Sequence, residues 1–209
     1  MEKAEKLVNS VPPDNPEMET PDVLQLQLSK ARHGDSAAFS IIYDEYAAKI
    51  YSFASRMVGS REDAEDITQN TFFLAFQNLK ELREHTHFEP WLYRIARNEV
   101  YKRQRKFKFK YKTDSIDDLE KGLSGVLKSR DSASNPENRM LSAELGKEVK
   151  AIVEALPTKY KETLVLATLQ GLNYQDISQI QRRSLSAVKT DIYRARLIIS
   201  EKMRKYSSR

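Results

Sequence analysis

Cysteine is absent from the 209 residues, and only six residues are glycine. The first absence excludes a disulfide scaffold, a cysteine nucleophile and a thiolate zinc site. It also fits a reducing compartment. The second leaves little for a glycine-rich phosphate loop. No apolar run approaches the ~18–20 residues of a membrane span, so no membrane insertion is expected. The opening MEKAEKLVNSVPPDN lacks the apolar segment of a secretion signal, and a cytoplasmic location is the expectation. No run of β-branched residues is long enough for a sheet. Proline is concentrated at the start, where Pro12, Pro13, Pro16 and Pro21 are four of the seven. Residues 1–22 therefore read as a disordered tail.

What is present is helical periodicity and divided charge. Phe39, Ile42, Tyr43, Tyr46, Ile50, Phe53 and Met57 recur at three- and four-residue steps, the buried stripe of a long helix. Gly59 and Ser60 end it. Glu62 and Asp63 open the next helix, where acids complement the dipole. That helix turns Ala64, Ile67, Thr71 and Leu74 inward. A polar stretch leads to Pro90, which suits a first helical turn, and a further helix runs from about Trp91 past Arg103. The alternation in Lys106–Lys112 suggests a strand, but a lone strand has no partner, so a basic helix end is the better reading. Residues 113–137 form a linker. Leu141, Leu145, Val149, Ile152 and Leu156 then make a stripe stopped by Pro157. The fold expected is all-α: two small helical domains, 23–112 and 138–209, joined by a flexible linker.

The net charge of +5 conceals a partition. Trp91–Lys112 carries nine basic residues and one acid, and Arg182–Arg209 carries nine and two, so these blocks are +8 and +7 on a background of −10. One such block reads equally as a solvated helix face. Two, each on an aromatic-bearing apolar helix, point to two contacts with a polyanion. Within the second block, Tyr174–Ile180 reads as a short helix with Tyr174, Ile177 and Ile180 inward. Gln181–Arg183 form a polar turn, and Ser184 caps a longer helix that buries Leu185, Val188, Ile192, Ala195 and Ile199. Ser186, Lys189, Thr190, Tyr193 and Arg194 face outward. Short helix, tight turn and longer basic helix make a helix-turn-helix. Lys189 and Thr190 are placed for base edges, and Arg182, Arg183, Arg194 and Arg196 for phosphates. An ordinary helical hairpin with a charged outer face is the plainer reading of the same pattern.

The stretches AEDITQNTF at 64–72 and WLYRIARN at 91–98, preceded by Phe39, Tyr43, Tyr46, Ala54 and Arg56, resemble region 2 of the extracytoplasmic-function (ECF) sigma factors of bacterial RNA polymerase. Asn135-Pro136-Glu137, Leu156-Pro157, GLNY at 171–174, Val188-Lys189-Thr190 and Arg194-Ala195-Arg196 resemble region 4. The resemblance covers about Val23 to Lys205. It implies docking on core RNA polymerase through Asp66, Gln69, Asn70 and Phe73. It implies −10 contacts from His85, Thr86, His87, Trp91, Arg94, Arg97, Asn98, Lys102 and Arg103, because melting needs a basic track and pockets for an unstacked base. It implies −35 contacts from Arg182, Arg183, Ser184, Ser186, Lys189, Thr190, Tyr193, Arg194 and Arg196. Promoter DNA, core polymerase and an anti-sigma factor are the implied partners.

This chain departs from the family pattern at Asn70, where an acid is usual, at Ser186-Ala187, where Gly-Thr is common, and at Asp191, where a base is common. An acid beside a phosphate repels it. Asp191 is therefore expected to turn toward a basic neighbour such as Arg182 or Arg194, or else the element read is not the common one. Trp91 reads as a packing anchor or a stacking platform. Phe72, Phe73 and Phe76 occupy more than one helix face, so at least one is expected under another surface. His85 and His87 lack a third ligand, so no metal site is expected. Asp63, Glu65 and Asp66 are explained by the helix dipole. With no nucleophile, base or metal ligand set, neither enzyme activity nor a cofactor is expected. The alternative is a stand-alone helix-turn-helix regulator with a helical sensor or dimerisation domain. Such a domain offers a ligand pocket or dimer seam, whereas this one offers a polar docking face and a basic aromatic helix.

Overall fold

A computed structural model describes residues 21–82, 87–113 and 148–206. The tail before 21, His85 and Thr86, the linker from 114 onward, Leu141 and Leu145 lie outside the described residues. Among the described residues the chain is all helical. Helices α1 (Pro21–Arg32), α2 (Ser36–Val58), α3 (Arg61–Asn78) and α4 (Phe88–Thr113) form the first half. Helices α5 (148–154), α6 (Thr158–Thr168), α7 (Tyr174–Gln181) and α8 (Leu185–Tyr206) form the second.

Local chemistry sets the helix ends. The Asp35 carboxylate accepts from Ala37 N at 2.9 Å and Ala38 N at 3.1 Å and starts α2. The Ser60 hydroxyl accepts from Asp63 N at 3.3 Å and starts α3. Between them Gly59 takes φ 75°, a left-handed conformation that glycine adopts without steric cost, and its N–H donates to Ser55 O. The tight reversal lets α2 and α3 pack antiparallel.

The expected stripe of α2 is largely inside: Ile42, Tyr46, Ile50, Phe53 and Met57 are buried, while Tyr43 stays exposed and Phe39 is half-buried. On α3, Ala64, Ile67 and Thr71 are buried as the spacing predicts, and Phe72 joins them. Its ring meets Phe39 and Tyr43 edge-on, with centroids 6.4 and 4.7 Å away. Phe73 stays exposed and Phe76 packs its ring on Phe39 at 4.9 Å. A short 3-10 turn, Leu79–Glu81, follows α3 and buries Leu79. Helix α4 is longer than the periodicity suggests. It starts at Phe88, and it carries the alternating Lys106–Lys112 segment as continuous helix to Thr113.

The second half follows the expected order. Asn173 caps α7 through Asp176 N at 2.8 Å, and Ser184 caps α8 through Ala187 N at 3.2 Å. Each such cap is worth about 1 kcal/mol. Ile177 and Ile180 of α7 and Val188, Ile192 and Ala195 of α8 are buried, and Leu185 is half-buried. The two halves also touch. Helix α7 packs on α4 and α6 packs on α2. One apolar core runs from Ile50, Phe53 and Tyr93 in the first half to Leu166, Leu172 and Ile177 in the second. A separate small cluster joins Ile152 and Leu156 to Leu164, Ala195 and Ile199.

Candidate nucleic-acid interface

Three surfaces carry the residues singled out by sequence. The first is on α3. Asp66, Gln69, Asn70 and Phe73 follow helical spacing and all face solvent, Phe73 being 61% exposed. The same spacing turns Ala64, Ile67, Thr68 and Thr71 into the core. The hydroxyls of Thr68 and Thr71 donate back to Ala64 O and Ile67 O, so neither is left unsatisfied. Asp63 belongs to a different job from its neighbours. It is buried, and its carboxylate is bound by the Arg103 guanidinium of α4. A buried acid needs such a partner.

The second surface is α4. Trp91 is buried and packs against Phe88 at 5.8 Å, as an anchor would. His87 and Asn98 are exposed, Arg94 and Arg97 are half-buried, and Lys102 is exposed beside Glu99 at 3.3 Å. Arg103 is turned away from an open basic face: besides Asp63 it lies over the Phe107 ring at 5.6 Å. Arg97 donates from Nε to Glu162 at 2.5 Å and lies over the Tyr101 ring at 4.7 Å. Tyr101 donates to the other oxygen of Glu162 at 2.5 Å. Burial, and then the Glu162 charge, push the Tyr101 hydroxyl up to about 12. An open groove of about 380 Å³ is lined by Arg97, Asn98, Tyr101 and Arg105.

Sequence reasoning missed Tyr101 and Arg105 here. Tyr101 sits four residues after Arg97, one turn along the same face, which is the signal that would have found it.

The third surface is the helix-turn-helix. Ser186, Lys189, Thr190, Tyr193 and Arg194 are all exposed on α8, with Tyr193 at 67%. Arg182 is exposed at the turn and Arg196 is half-buried. Arg182 has φ 52°, the one non-glycine residue with positive φ among those described. This conformation lets the chain leave α7 and enter α8 within three residues.

Asp191 turns toward basic neighbours, as expected, but Arg183 and Lys159 bind it, while Arg194 only feels its charge. Asp191 is buried at 1% exposure, bound by the Arg183 guanidinium, with Lys159 Nζ of α6 at 3.3 Å. The reason is register: position 191 lies beside Ile192 and Val188, on the side of α8 that packs against α6. Arg183 is thereby drawn toward the core side, and Arg194 instead reaches the Tyr160 hydroxyl at 3.3 Å. The acid that looked hostile to DNA therefore points inward.

Among the described residues no group of three His, Cys, Asp or Glu is arranged to hold a metal. No described helix is long and apolar enough to cross a membrane.

Comparison with known proteins decides the lineage. Residues 42–108 match the Sigma-70 region 2 family and residues 146–199 match the Sigma-70 region 4 family. The ECF RNA polymerase sigma factor SigW of Bacillus subtilis is 32% identical over 182 residues, covering 87% of this chain and 97% of that protein. The chain belongs to the ECF sigma factors. The ECF RNA polymerase sigma-E factor of Escherichia coli K12 is 34% identical over 182 residues, 86% of this chain and 93% of its own.

Two solved structures share the fold. Sigma factor RpoE of Bartonella quintana, solved with the anti-sigma factor NepR, has a TM-score of 0.66 at 20% identity and covers 79% of this chain and 96% of its own. CnrH, solved with the cytosolic domain of CnrY, has a TM-score of 0.61 at 21% identity, covering 88% and 99%. This sigma factor recognises promoters through regions 2 and 4 and is not an enzyme. A stand-alone regulator with a sensor domain is excluded by that membership.

Proposed function

We propose that the four exposed residues of α3 dock this sigma factor on core RNA polymerase, that α4 and its preceding loop hold the opened −10 strand, and that α8 reads the −35 duplex. The observation that carries the reading is the separation of three candidate surfaces on different helices of the described residues. Asp66, Gln69, Asn70 and Phe73 form a polar face around an exposed aromatic ring. An aromatic with a polar rim is the composition of a protein contact.

The domain limits follow the surfaces: a tail over 1–22, region 2 over 23–112, a linker over 113–137 and region 4 over 138–209. His85 and Thr86, outside the described residues, would complete the −10 loop beside His87. Trp91 is assigned to packing, against Phe88. Arg94, Arg97 and Asn98 take the strand, with Lys102 further along. Arg103 supports the helix through Asp63 and contributes field rather than contact. On α8 and its turn, Ser186, Lys189, Thr190 and Tyr193 face the groove, and Arg182, Ser184, Arg194 and Arg196 flank it toward phosphate. Arg183 acts by holding Asp191.

Recruitment and strand capture are the whole of the contribution; the polymerase makes the phosphodiester bonds. The RpoE structure, solved with the anti-sigma factor NepR, supports an anti-sigma partner for this chain too. A cytoplasmic location agrees with the lack of a membrane-spanning helix among the described residues. The test is run-off transcription with purified core polymerase on genomic templates, with Asp66→Ala/Gln69→Ala beside the native chain. The native chain should give promoter-specific transcripts. The variant, altered only at exposed positions, should keep its melting temperature and lose polymerase affinity. Equal polymerase affinity would remove the docking assignment.

A further inference from the structure

Glu162 is an ionisable side chain placed where none is needed for the fold of its own half. It lies on α6, is 1% exposed, and binds Arg97 and Tyr101, both of which belong to α4. Region 4 thus lends a carboxylate to region 2, and lends it to the basic helix assigned to the −10 strand. The carboxylate is to Arg97 what a backbone phosphate would be: an anion offering two oxygens to a guanidinium and a hydroxyl.

Two further polar links cross the same seam. Tyr93 donates its hydroxyl to Gln170 Oε1 at 2.8 Å, and Gln170 Nε2 reaches Ser52 Oγ at 3.5 Å.

The rest of the seam opposes closure. Arg94 faces Arg182, and burial together with that neighbouring cation lowers the Arg94 pKa. Asp176 of α7 approaches Glu89 of α4; burial first, and then this like charge among others, raise the Glu89 carboxyl. The two regions therefore meet through a shared apolar core, the Glu162 pair and a few polar links, against like-charged approaches at Arg94–Arg182, Glu89–Asp176 and Arg56–Lys161. Such a joint closes without locking. When it opens, Glu162 and Arg97 both regain water, so little is lost by separating them. When it is closed, a phosphate cannot take Arg97 without stranding a buried carboxylate.

We propose that Glu162 is an internal competitor of the −10 strand. It occupies Arg97 and Tyr101 in the closed factor and is withdrawn when the regions separate. Strand binding and closure are then linked: the affinity of the free factor for single-stranded DNA is its intrinsic affinity scaled by the open fraction. Polymerase docking, by spreading the regions, frees the helix. The proposal rests on the assignment of α4 to the strand.

The test uses the full chain. It has no native cysteine, so Ser40→Cys on α2 and Ser200→Cys on α8, both exposed, accept a dye pair that reports the distance between the regions. Affinity is read with a mixed-base single-stranded 15-mer DNA. Glu162→Gln should lengthen the distance and tighten 15-mer binding about tenfold, and saturating 15-mer should lengthen the distance in the native chain. Arg97→Glu should open the joint, and Arg97→Glu with Glu162→Arg should close it again; that swap decides the matter if Glu162→Gln fails to fold.

Unchanged distance and unchanged affinity in Glu162→Gln overturn the competition while leaving the strand assignment standing. A lengthened distance with unchanged affinity overturns the strand assignment, and the competition with it. A swap that stays open shows the pair does not hold the joint, and also overturns the proposal.

Discussion

The two basic blocks of this sigma factor are almost equal in charge and quite unlike in state. On α8 most side chains assigned to DNA project outward, and the acid that lies between them in sequence, Asp191, is turned in and bound by Arg183 and Lys159. On α4 three of the cations are engaged by the protein's own acids: Arg97 by Glu162, Lys102 by Glu99 and Arg103 by Asp63. The −35 reader is presented, and the −10 reader is partly occupied. Charge counted along a chain measures the capacity to bind a polyanion, not the readiness to do so. A duplex can be met by a ready surface. An opened strand exists only after polymerase has engaged, so its surface loses nothing by waiting.

The largest expected effect tests whether the regions are coupled at all. Ile177 is fully buried in the core that both halves share. Ile177→Ala should cost about 2–5 kcal/mol. Trp91, the single tryptophan, reports only on the first half. Its fluorescence and the helical circular dichroism should shift to the same lower denaturant midpoint. A tryptophan transition left at its original midpoint would break the shared core into two independent domains.

Next in size is the presented surface itself. Lys189 is exposed in the first turns of α8, where a recognition helix meets base edges. Lys189→Ala should lose about 1–3 kcal/mol on the holoenzyme's preferred duplex and much less on scrambled duplex. Equal loss on both would make Lys189 a phosphate contact and narrow the contrast with α4.

These two residues also mark what sequence could and could not convey. Lys189 and Ile177 are both legible from helical spacing, which is local: one helix, one face, one outward side chain. The same holds for the caps at Ser184 and the break at Gly59. Asp191 was legible only as an anomaly. Its register put it on the inner side of α8, but its partner Lys159 comes from another helix. Glu162 was not legible. It reads as one more charged residue on a helix, and its meaning depends on Arg97 and Tyr101 arriving from more than sixty residues away in sequence. Periodicity reveals which face is buried, and long-range packing decides which charges are consumed there.

Asp191→Asn gives a smaller effect and probes the inward turn directly. The carboxylate is buried, yet Arg183 is 30% and Lys159 49% exposed, so water partly replaces what it supplies. The expected loss is about 1–2 kcal/mol, discounted for that screening, and should shrink further in high salt. If Arg183 is then freed toward phosphate, duplex affinity should rise modestly even as stability falls. A fall in both would show that Arg183 serves DNA only through the position of α8.

The smallest effect separates structure from contact at one residue. Arg182 holds φ 52° at the turn between α7 and α8. A side chain in that conformation costs about 1 kcal/mol relative to glycine. Arg182→Gly should therefore raise stability by about 1 kcal/mol, offset in part by the extra freedom glycine has in the unfolded chain. It also removes a cation from the presented surface, and removes the like charge facing Arg94 across the seam. Duplex binding should weaken and lose about one unit of its salt dependence, while the dye pair at Ser40 and Ser200 moves toward the closed distance. Stability up, duplex affinity down and closure favoured are three signs set by three different physical causes at one position. If duplex affinity and its salt slope are unchanged, arginine is at the turn for some reason other than DNA, and the presented surface begins at Ser184 rather than at Arg182.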